Sequence, residues 1–266
     1  MNRYARTAIL LSAAVLVLVP FLILTARAFS TSWVYPDLLP NLNPGTFFDY
    51  VDSDRFREPL VRSIILSALV TLVSMVIGFL PAKYFGTRSF RGKTLLYIFL
   101  LIPAVTPGIC IMFGLIEVLI DLGIYRKYLS LVLCQAAFTT PYFIFVMIPV
   151  FKRYDTNLEY QSSVLGVGTL STLLNVTIPA VKSGLASSLM LTFVISWSMY
   201  LITSVAAPMG FETMATMLLP QLSFGYAMDT HVAITAFVFL IPALISVMIS
   251  TGFINRDKSN SRSDNQ

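Results

Sequence analysis

The fold class that this sequence predicts is all-α: a polytopic membrane protein with six transmembrane helices and both termini in the cytoplasm. Three observations carry that reading. The 266 residues are 56% hydrophobic and only 12% charged, with a mean hydropathy of +0.79. A soluble domain is nearer about 45–50% apolar and about 25% charged. Apolar runs recur six times, each close to the ~20 residues that one bilayer crossing requires. The 18 Lys and Arg residues divide unevenly between the two sides that six crossings define. A 29.5 kDa water-soluble enzyme could not hide this much apolar surface, and disordered chains are poor in apolar residues.

The runs follow in order. Residues 7–26 form the first, after Arg3 and Arg6. A signal-peptide core is shorter, about 7–15 residues, so this one is expected to stay as an uncleaved span. A polar external loop follows over residues 29–62, with Pro36, Pro40 and Pro44 and the acidic cluster Asp49, Asp52, Asp54 and Glu58. The second run is residues 63–82. The third, 94–116, is interrupted by Pro103 and Pro107. The fourth, 128–151, contains Pro141 and Pro149. Residues 185–207 and 232–250 are the fifth and sixth. The tail 255–266 is polar and expected to be mobile. The organisation is therefore a first span and external loop (1–58), a transmembrane core (59–252) with a cytoplasmic loop at 152–184, and a polar cytoplasmic tail (253–266).

Orientation follows from the basic residues. With the N-terminus inside, Arg3, Arg6, Lys83, Arg88, Arg91, Lys93, Lys152, Arg153, Lys182, Arg256, Lys258 and Arg262 lie on one side. Arg27, Arg55, Arg57, Arg62, Arg126 and Lys127 lie on the other, and the loop 208–230 has no Lys or Arg. The net charge of +5 thus reads as cytoplasmic loop bias and not as a nucleic-acid footprint. Cys110 and Cys134 both sit inside apolar runs, which fits core residues and neither a disulfide framework nor a zinc site.

One cytoplasmic connection is unusually long. In residues 152–184, Thr156 and Glu159 have the spacing of a capping box, which predicts a short helix from Asn157. Leu158 and Leu165 are seven apart and share a face. Gly166 is placed to end the helix in left-handed geometry. Thr169 can cap a second short helix through Leu174, and Pro179 is expected to stop regular structure before the fifth span. The apolar face of this element needs cover, either from the cytoplasmic ends of the spans or from a partner.

This segment resembles the EAA loop of ABC-importer permeases, approximately Glu-Ala-Ala, three residues, Gly, about nine residues, then Ile-x-Leu-Pro. Leu165-Gly166 precedes Ile178-Pro179 at that spacing, and Leu158 stands where the family often has Leu before its acidic position. Glu159 lies one residue before the usual Glu position, Tyr160, and Gln161 and Ser162 replace the alanines. Ser89-Phe90-Arg91-Gly92-Lys93 is similar to the turn after the second span in spermidine/putrescine-type permeases. Pro141-Tyr142, the segment 193–203, the segment 220–236 and Arg256-Asp257-Lys258 extend the resemblance over residues 61–258.

The resemblance implies a type I, MetI-like permease subunit of the cell inner membrane, multi-pass and without catalytic residues, cofactor or metal of its own. ATP would be bound by cytoplasmic ABC ATPase subunits that receive the loop carrying Thr156, Leu158, Glu159, Leu165, Gly166 and Pro179. A second permease, a paralogue or a second copy, would complete the pathway through the lipid bilayer. A periplasmic substrate-binding protein would deliver a polyamine or another small solute. The polyamine group typically carries an acidic pair where this chain has Ser198 and Met199, which argues against a polycation.

Other constellations give weaker chemistry. Residues 87–94 nearly spell a P-loop, but Gly86 is one position early and the segment joins two spans instead of a strand and a helix. Glu117 is an acid near the end of the third run and reads either as an interfacial group or as a pathway group. Ser196, Tyr200 and Thr203 share a helical spacing, with Ser198 beside them, and suit either helix packing or a pathway lining. His231 fits a solvated interface position. The competing class is an ion-coupled secondary transporter, against which stand few intramembrane charges and no evident internal repeat. A membrane-embedded enzyme lacks any His cluster, paired acids or nucleophile motif.

Overall fold

A computed structural model describes residues 3–31, 33, 39–223 and 229–263. Pro36 of the external loop and the end of the polar tail lie outside them. Thirteen α-helices are assigned among the described residues: α1 (Arg3–Ala28), α2 (Pro44–Val51), α3 (Asp54–Thr87), α4 (Lys93–Val105), α5 (Gly108–Asp121), α6 (Tyr128–Lys152), α7 (Asn157–Val164), α8 (Thr169–Thr172), α9 (Ile178–Ala180), α10 (Lys182–Trp197), α11 (Tyr200–Ala206), α12 (Met214–Ser223) and α13 (Thr230–Ser263). A π-helical stretch, Leu173–Thr177, joins α8 to α9. Extended pairing among the described residues is confined to an isolated bridge between Ser30 and Leu42.

Two helices, α3 and α6, are long and apolar enough to cross a membrane. The pair Lys93–Pro103 and Gly108–Asp121 meets the same test as one span broken by a bend of 92°. Its break falls at Thr106-Pro107, where Pro107 removes a backbone donor and the residue before it is driven to extended geometry (ψ 133°). At 34 residues, α3 extends about 51 Å. It therefore continues beyond its apolar run into Lys83–Thr87 at one end and into the Glu58–Arg62 ion pair near the other. Helical geometry in α13 runs through Ser263, into the segment expected to be a mobile tail.

The chain divides into two units. The first comprises residues 1–62 and 212–242. Here the external loop is not structureless. Asn43 caps α2 by accepting the Gly45 N–H at 3.0 Å, with Pro44 at the first helical position. Phe29 stacks on Phe47 at 4.5 Å, and both rings meet Phe237 edge-on. His231 is exposed, pairs with Asp229 at 3.4 Å and lies 4.4 Å from the Tyr50 ring.

The second unit, residues 63–211 and 243–266, is organised by α6. In its most apolar window 67% is buried, against 44% for α3, so α6 is the inner helix and much of α3 stays open. Two apolar clusters line it. One gathers Leu66, Val70, Met112, Leu131 and Phe138. The other gathers Phe79, Phe143, Met147, Phe151 and Leu185. Cys134 belongs to the first, buried as the sequence suggested, whereas Cys110 is exposed. Close approach of the backbones is possible because small residues face α6. A Cβ on Gly86 would sit 2.3 Å from Phe151 Cβ and 3.0 Å from the Ile148 carbonyl oxygen. A Cβ on Gly184 would lie 2.3 Å from Val150 Cγ2.

Gly86→Val is therefore expected to prise α3 from α6. Because backbone atoms of α6 cannot yield, the cost is about 1–3 kcal/mol or more. A lowered melting midpoint of the detergent-purified protein would register it, and an unchanged midpoint would contradict this packing.

Candidate functional site

The long connection after α6 folds as α7, a glycine turn, α8, the π stretch and α9. Its first helix starts as the sequence predicts, at Asn157, but not by the predicted cap. Thr156 is already helical (φ −68°, ψ −14°) and its hydroxyl makes no cap bond. Instead Asp155 Oδ1 accepts the Asn157 N–H at 2.9 Å. The reason lies in Glu159, whose carboxylate is committed elsewhere and cannot reach back to close a box. Asp155 was legible as a cap, since Asp ranks with the best N-cap residues.

Gly166 ends α7 as expected, at φ +77°. Its N–H donates to the Ser163 carbonyl at 3.0 Å, and the Val167 N–H donates to the Ser162 carbonyl at 3.1 Å. These two bonds form a Schellman motif, and they satisfy the carbonyls that a helix end leaves open. Ser162 Oγ and Thr172 Oγ1, both buried, lie 3.0 Å apart and tie α7 to α8. The second helical run outlasts the prediction. The continuous run Thr169–Ala180 passes through Pro179, which follows the π stretch Leu173–Thr177, and ends one residue beyond it. The break comes at Val181 (φ −107°, ψ 14°), and the run meets α10 at 83°.

Behind this element lies a polar anchor. Lys83 of α3 approaches both Glu159 oxygens, Nζ donating to Oε2 at 2.8 Å and lying 2.7 Å from Oε1. Thr177 Oγ1 donates to Oε1 at 2.8 Å, and the Tyr154 hydroxyl donates to Thr177 at 3.4 Å. Burial alone would raise the Glu159 carboxyl. Hydrogen bonds from Lys83, Thr177 and Tyr154, with the Lys83 charge, outweigh it and hold the carboxyl below its ordinary value. Burial pushes the Tyr154 phenol up. A cavity of about 1060 Å³ separates α3 and the turn after it from the element, and Lys83 and Glu159 stand in its wall together with Arg88 and Thr156. Sequence reading counted Lys83 only for orientation. Its partner is 76 residues away, and no local pattern announces the pair.

The opposite face of the element is apolar and open. Val164 is 87% exposed, Leu165 80% and Leu170 69%, with Leu158 and Leu174 also exposed. The spans do not cover them in this chain.

The second set of predicted residues lies in the fifth run, which is not one helix. α10 ends at Trp197 and α11 begins at Tyr200, so the helical face expected to unite Ser196, Tyr200 and Thr203 is interrupted. Ser196 and Thr203 are nevertheless brought together, both buried, on Gln135 of α6. Tyr200 is partly buried and Ser198 exposed. Glu117 is exposed on α5 and joins none of these groups. Among the described residues no cluster of His, Cys, Asp or Glu could hold a metal ion.

Among the described residues the chain combines helices of membrane-crossing length with a stiff helical element anchored on one side. Residues 74–260, more than half of the chain, match the family described as binding-protein-dependent transport system inner membrane component. This protein belongs to that family: it is an inner-membrane ABC-importer permease component, and not an enzyme. It is similar to the inner membrane ABC transporter permease protein YcjP of Escherichia coli (strain K12), 25% identical over 202 residues covering 72% of this chain and 71% of that one. The spermidine/putrescine transport system permease protein PotC of the same organism is 21% identical over 209 residues, 79% of this chain and 78% of that one. In fold it matches a chain of a bacterial ABC transporter that imports the acidic polysaccharide alginate, with TM-score 0.72, 18% identity, and 95% and 98% of the two chains covered.

Because the folded pKa of Glu159 is depressed, its anchor stabilises the protein fully above the ordinary carboxyl value of 4.5 and is lost as pH falls through the lower folded value. Glu159→Gln should lower the melting midpoint near neutral pH by the equivalent of about 1–2 kcal/mol. Melts of the two proteins should converge below pH 4.5. A constant gap down to strong acid would contradict the anchor.

Proposed function

We propose that this chain crosses the inner membrane six times with both termini in the cytoplasm and forms half of a solute pathway. A second permease, a paralogue or another copy, supplies the other half. The element 157–180 seats in a groove of a cytoplasmic ABC ATPase, which binds the ATP; this chain binds none. A periplasmic binding protein brings the solute to the outer face.

The observation that carries this reading is the two-faced cytoplasmic element. From behind, Glu159 fastens it to α3 through Lys83. In front, Val164, Leu165 and Leu170 stand exposed, a surface that water disfavours and a partner groove would bury. A partner's movement reaches the spans only through something stiff, and switching of this kind proceeds by rigid-body displacement of packed elements. The Schellman turn at Gly166 and the Ser162–Thr172 contact supply that stiffness. The related importer of alginate and its complex with a periplasmic protein support the kinds of partner.

The solute is a small one, a polyamine or another small solute. Ser198 and Met199 offer no carboxylate for a polycation, which favours a neutral or weakly charged compound. A related permease named for trehalose/maltose transport, 26% identical over 146 residues, is consistent with that preference.

Two substitutions test the coupling role. Leu165→Asp changes an exposed side chain, so insertion and melting should stay as in the parent, while ATPase co-purification and ATP-driven uptake fall at least about tenfold. Gly166→Asp places a side chain at φ +77° and should abolish ATP-coupled uptake with membrane insertion intact. Full uptake by either variant, or transport by this chain purified without any ATPase, would overturn the proposal.

A further inference from the structure

The break between α10 and α11 is held on both sides by one side chain from a third helix. Ser196 Oγ, at the end of α10, donates to Gln135 Oε1 at 2.6 Å. Gln135 Nε2 donates to Thr203 Oγ1, in α11, at 2.8 Å. The Thr203 hydroxyl in turn donates to the Met199 carbonyl at 2.5 Å, inside the break itself. Gln135, Ser196 and Thr203 are 0%, 3% and 1% exposed. Donors and acceptors thus run in one direction, from α10 through α6 and α11 into the break. The Gln135 carbonyl also accepts from Thr139, which lies 2.7 Å from Ser74 of α3.

Geometry gives this arrangement its meaning. Ser196 lies before the break and Thr203 after it, and the chain leaves helical geometry between them, with Met199 at ψ 83°. Gln135 thus bonds one residue on each side of the break. A buried amide without partners is costly, so the two arms of Gln135 and the break sustain each other. Non-helical backbone at membrane depth survives only when buried in protein or when it lines a watery cavity. Ser198, at the break, is exposed, so this chain's own helices do not seal the break.

We propose that Gln135 is the positioning residue of the pathway: it holds the α10–α11 break open, so that Ser198 and the non-helical backbone beside it meet the passing solute. This rests on the reading of the chain as half of a pathway. Gln135 acts through Ser196 and Thr203 and touches no solute itself.

The test uses the whole transporter, purified with its partners and reconstituted in proteoliposomes. Ser198→Cys is the reporter, with exposed Cys110 replaced by Ser and buried Cys134 retained. A membrane-impermeant methanethiosulfonate is the probe, applied at rest and after trapping with ATP and orthovanadate. The reporter should react in one state and be shielded in the other. Gln135→Leu should change the resting reaction rate by about fivefold or more and erase the difference between states. Ser196→Ala and Thr203→Val, each removing one arm, should shift it partly and serve if Gln135→Leu does not assemble. Thr139→Val leaves both arms in place and should keep the parent pattern, whereas a merely structural role would make it behave like the others. A reporter that responds in the parent and is unmoved by all three clamp variants would overturn the positioning role and leave the pathway standing. A reporter inert in every state would overturn both.

Discussion

The element between α6 and α10 depends on one carboxylate held between a lysine and a threonine. Glu159 belongs to α7, Lys83 to α3 and Thr177 to the π stretch before α9, so a single group joins the start and finish of the element to a membrane helix. Charge-assisted bonds of this kind are short and strong where water is partly excluded. The pair also explains the local surprises around it. It takes Glu159 away from the capping box, so that Asp155 caps α7, and it draws on Thr177, whose π-helical setting widens the turn ahead of Pro179. The helix end at Gly166 then needs no tertiary partner, because its own backbone bonds close it.

The same logic of one residue serving several elements recurs along α6. Its flanks accept α3 and α10 at distances that only glycine allows, at Gly86 and Gly184. Its polar positions are not scattered: Gln135 and Thr139 face Ser196, Thr203 and Ser74. In lipid, apolar contact alone gives little preference for one helix neighbour over another, and small residues and polar pairs supply it. α6 therefore packs closely against its neighbours and bonds one of them on both sides of its break.

Much of this could be read from residue order. Apolar runs located the long helices α3 and α6, and Pro107 marked the break between α4 and α5. Asn157 and Gly166 bounded α7, because capping and left-handed glycines are local physics. What could not be read were pairings at a distance. Nothing near Lys83 points to Glu159, and nothing near Gln135 points to a break sixty residues on. Pro179 marked the end of the run to within two residues: helical geometry stops after Ala180, and Val181 makes the bend. The stripe of Ser196, Tyr200 and Thr203 presumed an unbroken helix, whereas α10 ends at Trp197 and α11 begins at Tyr200. The external loop looked irregular by its prolines, yet Asn43-Pro44 is a helix start.

The exposed leucine and valine tip of the coupling element has a consequence for the life of the subunit in the cell. Val164, Leu165 and Leu170 carry no covering in the isolated chain, and bare apolar patches invite aggregation. Under the proposed docking, assembly covers this tip, and a copy made without its partner keeps it bare. The same three side chains that would give the subunit its partner therefore set how well an unassembled copy stays dispersed.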